Sequence, residues 1–298
     1  MPIPLSQLET WSHQGAIATS SVAYASIQHA LTKSSSPLAN RGVEVFLHGS
    51  YGNATNTYGD SDVDVVVLYG NTFYKDMSVL TQAQQHLHEA SFPAATYCWP
   101  ELRDDTLAAL RSHYGGDAVT VGEKSLKVDT GSGGRPSDVV PAMQFRRYAT
   151  FVDRNNLTAH WGIQFFDSSN NAIINYPKYH IERGEGKNQQ ARTHGQYKAT
   201  IRLLKNFRDH LVDNELLAES VAPSYFIECA LYNVPDNLFV GSFTNTMPAI
   251  LDYLWTTPYA GFLCQNGVVR LIGSGITQWP EGDFVLFVQA ARTAWKGW

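Results

Sequence analysis

The chain has 298 residues, of which 44% are hydrophobic and 16% charged, and its net charge is −5. That length can bury a large core and suits two lobes, and the composition excludes a disordered or fibrous chain. The acidic balance argues against an extended DNA or RNA partner, although a local basic patch is still allowed.

Cys98, Cys229 and Cys264 stand far apart with no C-x-x-C and no Cys/His cluster. A zinc ribbon and a disulfide framework are therefore excluded, and a reducing compartment fits. The N-terminus has no basic stretch leading into an apolar one, and no apolar run reaches about eighteen residues. The expectation is a cytoplasmic protein with no membrane partner.

In chain order, the spacing of Leu5, Leu8, Ile17, Val22, Ile27 and Leu31 predicts one long N-terminal helix over 5–33. Residues 43–49 and 62–70 read as strands, and 77–90 and 101–114 as helices. Residues 117–129 read as two short strands around a turn, and 131–136 as a loop without a P-loop pattern. "SDVVPA" reads as a short buried strand, and 159–166 with 171–177 as a hairpin turning at Ser-Ser-Asn-Asn. The pattern then becomes helical over 190–212, 223–233, 245–256 and 283–296. The fold class expected is α+β: a mixed-sheet lobe over 1–187, then a helical lobe over 188–298, with the active site between them.

The chemistry concentrates in "HGSYGNATNTYGDSDVDVVVLY". Gly49-Ser50 ends one apolar run, and eleven residues separate it from Asp62-x-Asp64, which opens the next. Residues i and i+2 of a strand share a face, so Asp62 and Asp64 project together while Val63, Val65 and Val67 face a core. Paired carboxylates repel unless a cation sits between them, and hard divalent ions take carboxylate oxygens together with substrate phosphates. Two Mg²⁺ ions, or Mn²⁺ in their place, would activate a hydroxyl and stabilise leaving pyrophosphate. Gly49 lets backbone N–H groups approach a phosphate closely, and the Ser50 hydroxyl adds a donor. A calcium loop over Asp60–Asp64 is the weaker reading, because its sixth and twelfth places hold Val65 and Asn71 rather than Gly and Glu.

Farther on, Lys198, Arg202 and Lys205 fall within about 60° of one another on one helix, a basic stripe suited to a triphosphate. Asn188 has two readings: its amide reads a base edge, or it caps the following helix. His180 reads as a structural histidine or as a contact to acceptor, and Arg146-Arg147 as a solvated basic spot or an acceptor-phosphate contact.

These motifs resemble the polymerase-β-type nucleotidyltransferase superfamily, whose signature is G-S, a spacer of similar length and D-x-D. The resemblance implies a third carboxylate on a later strand. Asp117, Asp129 and Asp138 are the candidates, and Asp138 is preferred because "SDVVPA" looks like the matching segment of cyclic GMP-AMP synthase-like and bacterial dinucleotide-cyclase-like enzymes, the CD-NTases. By the same resemblance Lys205 and Ser224 meet the donor phosphates and Tyr225 stacks on the base. The resemblance runs from about residue 40 to 235, and it lacks the zinc insertion of the animal DNA sensor. It implies a metal-dependent synthase that joins nucleoside triphosphates into a cyclic di- or trinucleotide, which activates an anti-phage effector protein. The alternatives are a tailing or small-molecule or protein-modifying nucleotidyltransferase, and a nucleotide-binding module without catalysis.

Overall fold

The computed structural model describes residues 3–15, 17–58, 62–131, 134–239 and 241–297. The helix expected over 5–33 is two helices, α1 (Leu5–Ser12) and α2 (Ala18–Thr32). The break has a physical cause at Gly15. Its N–H donates to the Asn56 carbonyl at 3.0 Å, and a Cβ there would collide with the Thr57 carbonyl oxygen. Gly15→Ala is expected to cost about 1–3 kcal/mol, the usual penalty for overpacking. A melting curve checks this, and an unchanged Tm would contradict the close approach.

The elements that follow are β1 (Glu44–Leu47), α3 (Gly49–Gly52) and β2 (Val63–Asp76). Helix α4 (Gln82–Ser91) starts on a capping box, in which the Thr81 hydroxyl accepts from Gln84 N–H and the Gln84 side chain accepts from Thr81 N–H. Helix α5 (Trp99–Tyr114) carries Pro100 and Glu101 in its first turn and stops at Gly115, whose φ is +92°. The expected hairpin is β3 (Val119–Val121) and β4 (Leu126–Val128). "SDVVPA" opens a much longer strand than expected, β5 (Ser137–Asp153), which turns into β6 (Asn156–Phe166) and then β7 (Ala172–Asn175). The helical part follows as α6 (Pro177–Asn188), α7 (Gln190–Thr193), α8 (Gln196–Asp213), α9 (Ser224–Tyr232), α10 (Phe243–Thr256) and α11 (Glu281–Gly297).

Contacts divide the chain into two compact units differently from a single cut after residue 187. One comprises Ala18–His48 and Ser61–Pro177; the other comprises Met1–Ile17, Gly49–Asp60 and Lys178–Trp298. The first is a mixed sheet in the order β1-β2-β5-β4-β3, with β6 and β7 continuing from β5. Strands β2 and β5 are parallel, and the other pairs are antiparallel. Helix α2 packs on β2, and α4 and α5 pack on β5. Because β2 is central, Val63, Val65, Val66 and Val67 are all fully buried. The second unit is helical. Tyr197, Ile201, Leu204 and Phe207 of α8 form its core with Leu8 and with Ile227, Leu251 and Phe287 of the later helices. Among the described residues, no helix is long and apolar enough to cross a membrane.

Candidate active site

The carboxylates lie in the sheet unit. Asp64 on β2 and Asp138 on β5 are direct partners in the parallel register, and the pair before them is Val63 and Ser137. Neighbouring strands stand about 4.8 Å apart, so the two side chains rise next to each other on one face. Val63 N–H donates to the Pro136 carbonyl at 2.9 Å, which pins the two strands at the point where Asp62 and Asp138 enter. Asp62 is exposed, one residue ahead of β2, while Asp64 and Asp138 are half-buried. Neither Asp62 nor Asp138 joins an ion pair among the described residues. The donor set consists of hard carboxylate oxygens, the ligand type a divalent ion takes. No group of three or more His, Cys, Asp or Glu close enough to hold a metal forms among the described residues. Asp129 makes a local turn instead, accepting from Gly131 N–H at 2.9 Å. Asp60 and Ser61, the start of the calcium-loop reading, lie outside the described residues.

His48 connects the aspartates to the Gly-Ser pair. Its N–H donates to the Asp64 carbonyl at 2.9 Å, so Gly49 is the next residue along the chain from the β1–β2 pairing. Gly49 turns the chain with φ +60°, a left-handed conformation that favours glycine. The turn closes on itself through Asn53 N–H to the Gly49 carbonyl at 3.1 Å and Thr55 N–H to the Ser50 carbonyl at 2.9 Å.

The basic stripe on α8 faces inward, contrary to expectation. Lys205 is 1% exposed; its Nζ donates to the Thr55 carbonyl at 3.0 Å and lies 3.9 Å from Glu228. Arg202 donates to the carbonyls of Ser12 at 2.6 Å and Ala54 at 2.7 Å. Lys198 is buried and pairs with Glu185. The helical wheel places these cations on one face correctly, but that face is covered by carbonyls and carboxylates of its own unit instead of opening to solvent. Asn188 Oδ1 accepts from Lys198 N–H at 2.9 Å in the first turn of α8, which is the capping role. Ser224 and Tyr225 open α9. The Ser224 hydroxyl accepts from Arg208 at 3.3 Å. The Tyr225 ring stacks on His180 at 5.3 Å, and its hydroxyl accepts from Asn266 at 3.2 Å. Arg146 and Arg147 are no acceptor-phosphate contact near the aspartates. Eight or more residues beyond Asp138 on β5, about 26 Å along the strand, Arg146 lies over the Phe73 ring at 3.6 Å and Arg147 faces Asp76 at 3.4 Å.

Sequence reasoning missed Glu228, the lone charge in the otherwise apolar helix "SYFIECALY". It is 3% exposed and meets Thr55, Asn53, His180 and Lys205. Burial would raise its carboxyl, but His180, Lys205 and Thr55 outweigh burial and hold it below the ordinary carboxylate range. That isolated charge in an apolar run was the available signal.

A parallel β2–β5 pair bearing neighbouring carboxylates, in a chain whose Gly-Ser pair follows β1, is the pattern of a nucleotidyltransferase. Comparison agrees: residues 32–113 match the nucleotidyltransferase domain family, and residues 182–296 match the cGAS/DncV-like nucleotidyltransferase C-terminal helical domain. The cyclic UMP-AMP synthase of Rhodothermus marinus is 40% identical over 298 residues, covering 100% of this chain and 99% of that protein. The cyclic nucleotide synthase CdnE01 of Staphylococcus haemolyticus is 35% identical over 307 aligned residues, covering 100% of each. The structure of Rhodothermus marinus CdnE c-UMP-AMP synthase with Apcpp and Upnpp superposes with a TM-score of 0.89 at 39% identity, covering 100% of this chain and 98% of that one. The chain belongs to the CD-NTase family of cGAS/DncV-like nucleotidyltransferases.

Proposed function

We propose that the protein joins two or three nucleoside triphosphates into a cyclic oligonucleotide that activates an effector protein in the cytoplasm, with ATP and UTP as the first pair to test. The observation that carries this reading is the Asp64–Asp138 register pair, together with full-length similarity to named cyclic nucleotide synthases.

In this reading Gly49, Ser50 and Ser224 bind the donor phosphates, and Tyr225 offers its ring to the base. Asp62, Asp64 and Asp138 would hold the divalent ions, Mg²⁺ or Mn²⁺, which would supply Lewis acidity and charge neutralisation when bound. Asp138 takes the proton from a ribose hydroxyl of the second nucleotide. The oxygen of that hydroxyl bonds to the donor α-phosphorus while the bond from α-phosphorus to the bridging oxygen breaks, and pyrophosphate leaves. A second transfer of the same kind closes the ring. Catalysis rests on positioning and on charge neutralisation at the α-phosphate.

The test is incubation with all four ribonucleoside triphosphates and Mg²⁺, followed by phosphatase and mass spectrometry. A phosphatase-resistant cyclic product is expected. Labelled RNA, a labelled protein or no pyrophosphate release would each defeat the reading.

A further inference from the structure

Glu228 sits one turn after Ser224 on α9 and reaches into the segment that follows Gly49-Ser50. Its Oε1 accepts from the Thr55 hydroxyl at 2.5 Å, and its Oε2 accepts from Asn53 Nδ2 at 3.3 Å and lies 3.0 Å from His180 Nε2. Lys205 approaches Oε1 to 3.9 Å and holds the Thr55 carbonyl at 3.0 Å. Between those two residues, Arg202 holds the Ala54 carbonyl at 2.7 Å. Asn53, Ala54 and Thr55 are thus each gripped by a charged side chain from α8 or α9. The same three residues close the turn back onto Gly49, Ser50 and Tyr51 through backbone N–H donation.

We infer that Glu228 is a positioning residue for the donor phosphates, its buried carboxylate fixing the Gly49–Thr55 turn relative to Ser224 and Tyr225 through Thr55 and Asn53. The inference rests on the proposed nucleotide reading of Gly49-Ser50 and Ser224. A buried carboxylate is a poor way to gain stability, since an apolar group of the same volume usually does as well. What it provides is direction: two oxygens with fixed lone pairs accept from two residues of one turn, and neither oxygen can shift without losing a partner. Ser224 and Glu228 are four residues apart, so they lie over one another on the same helix face. A shift in the turn's grip is therefore also a shift relative to Ser224.

The deciding variants are Thr55→Val, which removes only the hydroxyl donor, and Thr55→Ser, which keeps it. Glu228→Gln supplements them. The probe is Apcpp with Mg²⁺, titrated well below each variant's melting temperature. Thr55→Val and Glu228→Gln are expected to bind about tenfold or more weakly, as displacements of an ångström can cost that much, and Thr55→Ser is expected to bind like the unaltered protein. A folded Thr55→Val that binds Apcpp normally would overturn the inference, even if its Tm has fallen, because a purely structural carboxylate would show that result. Should Glu228→Gln fail to fold, the Thr55 pair still decides. If the unaltered protein itself does not bind Apcpp, the nucleotide reading fails rather than the role of Glu228.

Discussion

Asp64→Asn and Asp138→Asn will each lower triphosphate turnover by about a thousandfold or more, the scale of losing a charge-stabilising group at a reacting phosphate. The Asp138 change will not destabilise the free protein. Asp138 and Asp64 are register partners on adjacent strands, and Asn matches Asp in size, so neutralising Asp138 relieves like-charge repulsion while the packing of Val63, Val65 and Val66 stays intact. This separates a functional carboxylate from a structural one. A structural carboxylate would lose stability when neutralised, whereas here the apo Tm should hold or rise. The stabilisation that Mg²⁺ and a nucleoside triphosphate give the unaltered protein should vanish in both variants, since a ligand stabilises only what binds it. Pyrophosphate release and melting curves with and without ligand are the measurements. Turnover within tenfold of the unaltered protein in either variant would remove that aspartate from the site.

The sheet unit was legible where a residue's role is set by its immediate neighbours. Alternating Val and Asp in "DVDVVV" specifies a strand with one buried face, and Asp138 followed by Val139 and Val140 has the same signature, so the two strands meet as parallel partners at those aspartates. The turn residues of the β6–β7 hairpin were equally readable. What failed depends on distant chain. The apolar spacing runs on through residues 13–17, but the break there answers to Asn56 and Thr57, some forty residues away. The β5–β6 hairpin was missed because its tight connection is built on one side chain: Asp153 Oδ1 accepts from Asn155 N–H at 2.7 Å and Asn156 N–H at 2.9 Å. The α8 stripe is the same lesson on a helix. The wheel fixes which residues share a face, but the residues covering that face, Ala54, Thr55 and Glu228, come from other parts of the chain. Asn188 could be read either way, and the bond to Lys198 N–H is a capping bond.

Lys205→Met will cost about 3–5 kcal/mol of stability at neutral pH, the usual result of removing one partner from a buried charge pair. Met fills a similar volume, so the loss comes from the charge left on Glu228, which is 3% exposed, and from the unsatisfied Thr55 carbonyl. The pH dependence identifies the cause. The folded-state carboxyl of Glu228 titrates below the ordinary glutamate value of 4.5, so the stability it contributes is present above that value and is lost as pH falls through the lower folded value. Without Lys205 the burial effect gains weight and the carboxyl moves upward. The stability gap between Lys205→Met and the unaltered protein should therefore be widest near pH 7 and shrink as the pH drops toward 4.5 and below, where a protonated Glu228 needs no cation. Urea unfolding across that range measures the gap directly. Had Lys205 acted only on substrate phosphates, the free variant would be as stable as the unaltered protein at pH 7, and only the stabilisation by Mg²⁺ and nucleoside triphosphate would be lost. A buried Lys205 that supports the Gly49–Thr55 turn predicts the reverse order: a large stability loss before any nucleotide is added.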